Sequence, residues 1–301
     1  MTKKIICRSC KSPKNQMIFG KKVYGGTKSQ HFYKCAKCQI VYLHPINSKA
    51  NEKNFYKNNF ENFMNERSKN EIKWDDPYKH SISNKKEFLR RKKFLNFNSL
   101  KNKKILEIGS SSGFMLTPLN KNKNNLYGIE PSLEFRNYTI KKGIKTFENF
   151  NDLPKKHNNS FDLIMHYYVL EHIDNPMKFL KDSMKLLKRN GKIIFEVPNI
   201  NDPLITFLKT KQFDNFYWSV VHHWYFSALT LGNLLKKNKF NFSFYFDQRY
   251  DISNHFTWLK DGLPGGTNKF KDIFSTQLNN LYKKNLISSS FCDTLGVIIT
   301  K

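Results

Sequence analysis

The chain has 301 residues, 39% of them hydrophobic, and a formal net charge of +28. This length suits one α/β domain plus a small module, and no apolar run is long enough to span a bilayer. Lys3 and Lys4 are not followed by an apolar segment, so we expect no secretory signal and a cytoplasmic location.

The positive charge has two interpretations. It can indicate a nucleic-acid partner or an anionic surface. However, only seven of the 52 basic residues are arginine, the residue best suited to bidentate recognition of phosphates and bases. Because the chain is also rich in Asn, Phe and Ile, we interpret most of the charge as compositional background.

Four of the five cysteines form two Cys-x-x-Cys pairs, Cys7 with Cys10 and Cys35 with Cys38. Each pair can place two thiolates on one metal, and the two pairs together complete a tetrahedral site. Apolar residues alternate between the pairs, as is typical of ribbon strands. We therefore predict a zinc ribbon over residues 1–46 with a structural Zn²⁺. The alternative is two incidental pairs.

Residues 47–83 are polar, with aromatic residues three to five positions apart. This spacing favours a helical linker whose aromatic face packs on the main domain. Stacking of these aromatic residues on nucleic-acid bases is the alternative. Residues 84–96 are predicted to form a basic helix that opens a larger α/β domain over residues 84–301.

A short buried strand is predicted at 105–108, followed by a tight turn at 109–113 and then a helix. Glycines in such a turn let the backbone approach a ligand, and N–H groups at a helix start can face it. The turn reads G-x-S-x-G, so it lacks the spacing of dinucleotide binders. Glu107 can accept hydrogen bonds from an amino group or a hydroxyl. A second strand ends at Glu130, about 20 residues later, where an acid suits the two hydroxyls of a ribose.

Strands and helices continue to alternate after Glu130. Further strands are predicted at 144–148, 161–165, 192–197, 240–246 and 294–300, and the last two are expected to pair antiparallel. Helices are predicted at 135–142, from Pro176 to 187–191, at 228–237 and at 269–286, and Ser227 is the predicted N-cap of the third. In open α/β sheets, ligands lie at the carboxyl ends of the strands. His166 and Tyr167 follow the strand at 161–165 and are therefore expected where two reactants meet.

In their order and in their sequence motifs, these segments resemble the class I S-adenosylmethionine-dependent methyltransferases. The closest likeness is to the branch with L-E-H-I after the fourth strand, here from Leu170, and E-V-P-N after the fifth, here from Glu196. The resemblance implies a Rossmann-like seven-stranded sheet with an antiparallel last strand, and S-adenosylmethionine as cofactor. It also implies cofactor contacts from Glu107, Gly109, Ser111, Gly113, Glu130, Asn149 and His166.

An aromatic-rich segment at about 200–226 is expected to cap the acceptor pocket. It ends in H-H-W-Y-F-S from His222, where the family commonly has E-H-x-x-x-F-S, so that Val221 replaces the acid. In deoxysugar C-methyltransferases, which this chain resembles in ribbon, turn and motif, the matching histidine is a base. His222 is therefore the predicted catalytic base, with His166 and Tyr167 as further catalytic candidates. The alternative is that His222 supports the lid.

Three functions follow from these observations. The first is methyl transfer to a small polar acceptor, for example a nucleotide-linked sugar. The second is an RNA or DNA methyltransferase that uses the basic surface. Against it, the N-P-P-Y motif of exocyclic-amine methylation is absent, and the thiol nucleophile of C5-cytosine methylation is missing because Cys292 is the only cysteine outside the two pairs. The third is a non-enzymatic binding protein. The retained Glu107, Gly109, Gly113 and Glu130 argue against it.

Overall fold

The structure is a computed structural model that describes residues 5–69, 73–96 and 99–301. Its strands are β1 (Gln16–Gly20), β2 (His31–Cys35), β3 (Val41–His44), β4 (Lys104–Ile108), β5 (Asn125–Ile129), β6 (Lys145–Phe147), β7 (Phe161–Tyr167), β8 (Leu187–Pro198), β9 (Trp224–Tyr225), β10 (Asn241–Asp247) and β11 (Thr294–Thr300).

The α-helices are α1 (Lys49–Asn58), α2 (Phe60–Arg67), α3 (Pro77–Ser83), α4 (Lys85–Lys92), α5 (Leu133–Lys141), α6 (Pro176–Leu186), α7 (Pro203–Thr206), α8 (Lys211–Tyr217), α9 (Ala228–Lys237), α10 (Ile252–Asp261) and α11 (Thr276–Ser288). Short 3₁₀ helices lie at Thr117–Asn122, Phe150–Asp152, Lys155–His157 and Leu170–His172. No helix among the described residues is long and apolar enough to cross a membrane.

The predicted fold class is confirmed. A seven-stranded sheet has the order β10-β11-β8-β7-β4-β5-β6, with antiparallel last strands. In its middle, β4 runs parallel to both β5 and β7, and Ile105 is aligned with Leu126 on one side and Leu163 on the other. Ile105 and Leu106 have no exposed surface, as expected for a parallel strand covered on both faces.

The chain divides into two compact units. The first consists of Met1–Ile46, Tyr168–Met177 and Glu196–Val297, and the second of Asn47–Tyr167, Lys178–Phe195 and Ile298–Lys301. The boundaries expected from the sequence, 1–46, 47–83 and 84–301, stay a prediction.

The first unit is built around a four-stranded sheet of order β1-β2-β3-β9. The two residues of β9 pair antiparallel with β3, so part of the predicted lid extends the sheet of the ribbon. Trp218, in the aromatic segment, is 1% exposed, and its ring centroid lies 5.3 Å from that of Phe32 and 4.9 Å from that of Tyr225. Ribbon and aromatic segment therefore share one core, which the sequence did not predict.

Several predicted elements differ from the structure. The turn at 109–113 leads into the 3₁₀ helix Thr117–Asn122, not into an α-helix. Pro118 lacks an N–H donor, and β5 already begins at Asn125, so the segment is too short for regular helical hydrogen bonding.

The fifth strand of the large sheet also begins earlier than predicted, at Leu187. The N–H of Lys301 donates to the carbonyl of Gly191 at 3.0 Å, and its ammonium to the carbonyl of Leu187 at 2.6 Å. These carbonyls are thus satisfied by a distant part of the chain, which favours the extended conformation over a helix end.

Towards the C-terminus, α10 was not predicted, and the predicted helix at 269–286 begins only at Thr276. Ser275 supplies the N-cap, since its hydroxyl accepts from the N–H of Leu278 at 3.2 Å.

The packing of Gly20 gives a test of the shared core. A Cβ atom at Gly20 would lie 2.5 Å from Cδ2 of Trp218, which has no room to move. We expect Gly20→Ala to lower the free energy of unfolding by about 1–3 kcal/mol, the usual cost of overpacking a core. Urea denaturation measures the change, with exposed Lys22→Ala as control. A Gly20→Ala protein as stable as the control would contradict this packing.

Candidate functional site

The glycine turn of the second unit is held by main-chain hydrogen bonds. Gly109 and Gly113 have φ angles of +72° and +67°, a left-handed conformation that glycine adopts without strain. The N–H groups of Gly109 and Ser110 donate to the carbonyl of Ile129 at 2.9 and 3.0 Å. The turn after β4 is therefore tied to the end of β5.

Glu130, the residue after β5, completes this attachment. Its Oε2 accepts from the N–H of Ser111 at 2.7 Å, and its Oε1 from the N–H of Ser132 at 2.9 Å. Desolvation raises the pKa of this carboxyl group to about 7, although the two N–H groups oppose the shift. Because a carboxylate has about four acceptor positions, each oxygen keeps capacity for a further donor.

Several buried polar atoms surround the turn without a hydrogen-bond partner among the described residues. They are Oε2 of Glu107, Oγ of Ser110, Oγ of Ser111, and both ring nitrogens of His166. An unsatisfied buried group costs about 1–3 kcal/mol, so such a cluster is typical of a site that a polar ligand completes.

Glu107 and His166 lie on adjacent strands of this site. Glu107 is 2% exposed, and burial raises the pKa of its carboxyl group well above the ordinary value. His166 is paired in register with Ile108 and stacks on Phe195 at 4.7 Å between ring centroids. Burial lowers the pKa of His166 to about 3, so the ring is neutral at physiological pH.

Tyr167 and Asn149 have local contacts of their own. The guanidinium of Arg91 lies 4.1 Å from the ring centroid of Tyr167. Asn149 is exposed, and it forms a reciprocal capping box with Asp152 in which its main-chain N–H donates to that carboxylate at 2.8 Å. In this capping box, the side-chain oxygen of Asn149 already accepts from the main-chain N–H of Asp152. The contact of Asn149 with adenine stays a prediction.

Two buried residues of this region were missed by the sequence analysis. Arg91 on α4 is 4% exposed, and its positive charge opposes the rise in the pKa of Glu107. Nδ1 of His80 on α3 lies 2.9 Å from Oγ of Ser112 in the glycine turn. The scarcity of arginine was a usable signal for Arg91, because an arginine in a lysine-rich chain indicates a specific contact.

In the first unit, the four paired cysteines converge. None is in a disulfide, and their sulfur atoms all lie within 4.8 Å of one another. The Sγ atoms of Cys7 and Cys38 are 3.7 Å apart, as are those of Cys10 and Cys35. A tetrahedron with zinc–sulfur bonds of about 2.3 Å has edges of about 3.8 Å, so the arrangement fits a four-thiolate metal site.

Arg8, between the first two cysteines, connects this cluster to other segments of the first unit. One Nη atom lies 2.6 Å from the carboxylate of Asp174 and 2.9 Å from Nδ1 of His223. The guanidinium also lies 4.6 Å from the ring centroid of Trp224. Through Arg8, the segment from Cys7 to Cys10 is therefore bound to Asp174 and to the segment that carries His223 and Trp224.

A second group of side chains with metal-ligating atoms lies in the same unit. Glu171, His172 and His222 bring a carboxylate oxygen and two imidazole nitrogens within 4.8 Å of one another. Burial raises the pKa of Glu171 to about 8. The structure thus brings His222 next to the L-E-H-I motif, about 50 residues earlier in the chain.

Comparison with known proteins places this chain. A family model described as a methyltransferase domain matches residues 79–242, more than half of the sequence. The chain belongs to this methyltransferase family. The matched domain is a methyltransferase domain that uses S-adenosylmethionine, and the buried polar atoms around the glycine turn that lack a partner among the described residues fit such a polar cofactor.

The methyltransferase matches its curated relatives over only part of their length. It is 30% identical over 114 residues to a ubiquinone biosynthesis O-methyltransferase from Pelagibacter ubique, covering 36% of this chain and 47% of that one. It is 31% identical over 109 residues to a tRNA U34 carboxymethyltransferase from Campylobacter fetus, covering 33% and 38%. The chain thus spans less than half the length of these two relatives.

Among solved structures, the methyltransferase is similar to a plantazolicin methyltransferase in complex with SAH. The TM-score is 0.51 at 16% identity, and the match covers 83% of this chain and 93% of that one. This likeness supports the fold.

Proposed function

We propose that this methyltransferase acts on a small polar acceptor that must lose a proton, with His222 promoting that loss. The observation that carries the proposal is the group of buried Glu171 and His222 with half-buried His172, which offers basic nitrogens next to a carboxyl group. The ubiquinone biosynthesis relative, an O-methyltransferase by name, supports an oxygen acceptor. A nucleotide-linked sugar, as in the deoxysugar C-methyltransferases, rests on the sequence resemblance alone.

The residues around the glycine turn are proposed to bind the cofactor. S-adenosylmethionine supplies an electrophilic sulfonium methyl group when it is bound. Glu130 accepts from the ribose hydroxyls with the lone pairs that Ser111 and Ser132 leave unused, and Oε2 of Glu107 accepts from the amino group. Gly109 and Gly113 keep the backbone of the turn open to the ligand.

His166 is proposed to orient the cofactor rather than to act as a base. A ring whose pKa is lowered to about 3 is a weak base at neutral pH, but it can donate one hydrogen bond and accept another. Tyr167, whose ring is covered by Arg91, stays the further candidate for a catalytic hydroxyl.

RNA is the second candidate acceptor. The net charge of +28 and the likeness to tRNA U34 carboxymethyltransferases favour it. To decide between the two classes, the enzyme is incubated with methyl-labelled S-adenosylmethionine and either a small-metabolite fraction or total tRNA. Labelled small molecules support the proposal, whereas labelled tRNA with binding that weakens steeply in salt supports RNA.

We further propose that Cys7, Cys10, Cys35 and Cys38 bind a structural Zn²⁺. A site closed by four thiolates has no open position for a substrate, so the ion stabilises the ribbon and takes no part in catalysis.

Cofactor binding provides the first test of these roles. Glu130→Ala should weaken S-adenosylmethionine binding by about 1–3 kcal/mol, because ribose hydroxyls and two main-chain N–H groups lose their acceptor. Isothermal titration calorimetry measures this, with exposed Glu134→Ala as control. Gly109→Val should be worse, since a β-branched residue does not tolerate the φ of +72°. Unchanged affinity in both variants would place the cofactor elsewhere.

The same carboxyl group predicts a pH dependence. With a pKa of about 7, Glu130 is ionised above that pH and protonated below it. Affinity for S-adenosylmethionine should therefore fall as the pH drops from about 8 to about 6, while Glu130→Gln should lose this part of the dependence. Parallel pH profiles for the two proteins would contradict the role.

Metal analysis tests the thiolate site. A thiol-reactive mercurial should release about one equivalent of zinc per chain from the native protein. Cys7→Ser should lose this zinc and loosen the ribbon, while S-adenosylmethionine affinity is retained because the glycine turn belongs to the other unit. Cys292→Ser, outside the cluster, is the matched control. Native protein purified without chelator and lacking this zinc would refute the proposal.

Turnover tests His222. His222→Asn keeps a polar side chain but removes the imidazole, so turnover on an active acceptor should fall by about 10²–10⁴-fold with S-adenosylmethionine affinity nearly unchanged. His31→Asn, in the ribbon, is the control. A small effect would assign the role to Tyr167, or indicate a reaction without a base. An equal loss of cofactor affinity would mean that His222 only supports the lid.

A further inference from the structure

Glu171 is an unusual residue in the first unit. Its side chain has no exposed surface, and neither carboxylate oxygen has a hydrogen-bond partner among the described residues. Buried carboxylates in proteins are normally hydrogen-bonded, paired with a cation or bound to a metal. The main chain at this position is fixed, because the carbonyl of Glu171 accepts from the N–H of His223 at 2.7 Å. The main chain that carries this carboxylate therefore has a fixed position.

Two imidazoles lie close to this carboxylate. Nε2 of His172 lies 3.9 Å from Oε1 of Glu171, too far for a hydrogen bond. The rings of His172 and His222 are nearly perpendicular, with centroids 4.7 Å apart. One carboxylate oxygen and one nitrogen from each ring fall within 4.8 Å of one another, so three different ligand atoms converge on a common point.

The orientation of His172 also suits a metal ligand. Its Nδ1 lies 2.8 Å from the main-chain carbonyl of Val221. A carbonyl can only accept, so Nδ1 carries the hydrogen and Nε2 presents its lone pair on the side of Glu171. Histidines that bind metals commonly donate their other ring N–H to a carbonyl or carboxylate in this way.

We propose that Glu171, His172 and His222 bind a divalent first-row transition-metal ion, at a site separate from the four cysteines. Two imidazoles and one carboxylate are a frequent ligand set for zinc, iron and manganese ions. Bonds of about 2.0–2.2 Å require ligand atoms about 3–4 Å apart, so the pair at 3.9 Å already fits. The wider pairs close by small rotations of the side chains.

Three protein ligands leave coordination positions open. An acceptor oxygen in such a position would lose its proton more readily, since a bound cation lowers the pKa of an attached hydroxyl. This role rests on the proposed function, and it makes His222 a ligand of the ion rather than a free base. Binding of the metal does not depend on that role.

Manganese provides a probe that distinguishes the two sites, because Mn²⁺ prefers nitrogen and oxygen ligands and does not displace zinc from thiolates. Zinc would outcompete Mn²⁺ at the second site. The protein is therefore first dialysed against a mild chelator that leaves the zinc at the four cysteines in place, and is then titrated with Mn²⁺ while free Mn²⁺ is followed by electron paramagnetic resonance. We expect about one bound equivalent. Glu171→Gln should weaken binding by at least about 100-fold, since it removes a ligand where loss of an outer-shell contact alone costs about 10–100-fold. Asp174→Asn, which removes an exposed carboxylate three residues away, should bind normally.

Two further measurements keep this test decisive. His172→Asn serves as a second ligand variant, and circular dichroism shows which variants are folded. Wild-type affinity for Mn²⁺ in a folded ligand variant, or no binding by the native protein, would overturn the site. S-adenosylmethionine binding and methyl transfer are measured on the same samples. Methyl transfer without Mn²⁺ binding refutes only this inference, whereas Mn²⁺ binding without methyl transfer refutes only the proposed function.

Discussion

The hydrogen bond from the N–H of Ser111 to Glu130 is the contact on which the proposed cofactor site depends. At 2.7 Å, it joins the turn after β4 to the residue that follows β5. The two glycines of the turn adopt left-handed conformations. Because glycine loses more conformational entropy on folding than any other residue, the turn needs such a restraint. Because the same carboxylate keeps lone pairs for a ligand, one side chain both shapes the turn and is available for binding.

In the first unit, the comparable constraint is the convergence of the four cysteines. The knuckle that carries Cys7 also carries Arg8, whose guanidinium contacts Asp174, His223 and Trp224. These residues directly follow or adjoin the two segments that supply Glu171, His172 and His222. A metal in the ribbon would therefore stabilise the surroundings of the second cluster without touching it, and the shared aromatic core around Trp218 adds to this.

Buried polar atoms without hydrogen-bond partners among the described residues occur in both units. Glu107 and His166 in one unit, and Glu171 in the other, have buried polar atoms without partners among the described residues. Each such atom opposes folding, and no packing advantage explains its presence. Ligands that complete these hydrogen bonds or coordination shells would recover the lost free energy, so the enzyme should be more stable with its ligands bound.

The sequence alone determined the fold class, the glycine turn and the cysteine pairs, because these depend on short-range patterns: apolar runs, positive-φ glycines and fixed spacing. Only the tertiary structure revealed that β9 extends the sheet of the ribbon, that Arg91 lies near Glu107, and that His222 meets Glu171 and His172. These contacts join residues about 16 to 180 positions apart, and local periodicity carries no information on such pairs. The prediction of an α-helix after the turn was wrong, because Pro118 and the early start of β5 outweighed helical propensity.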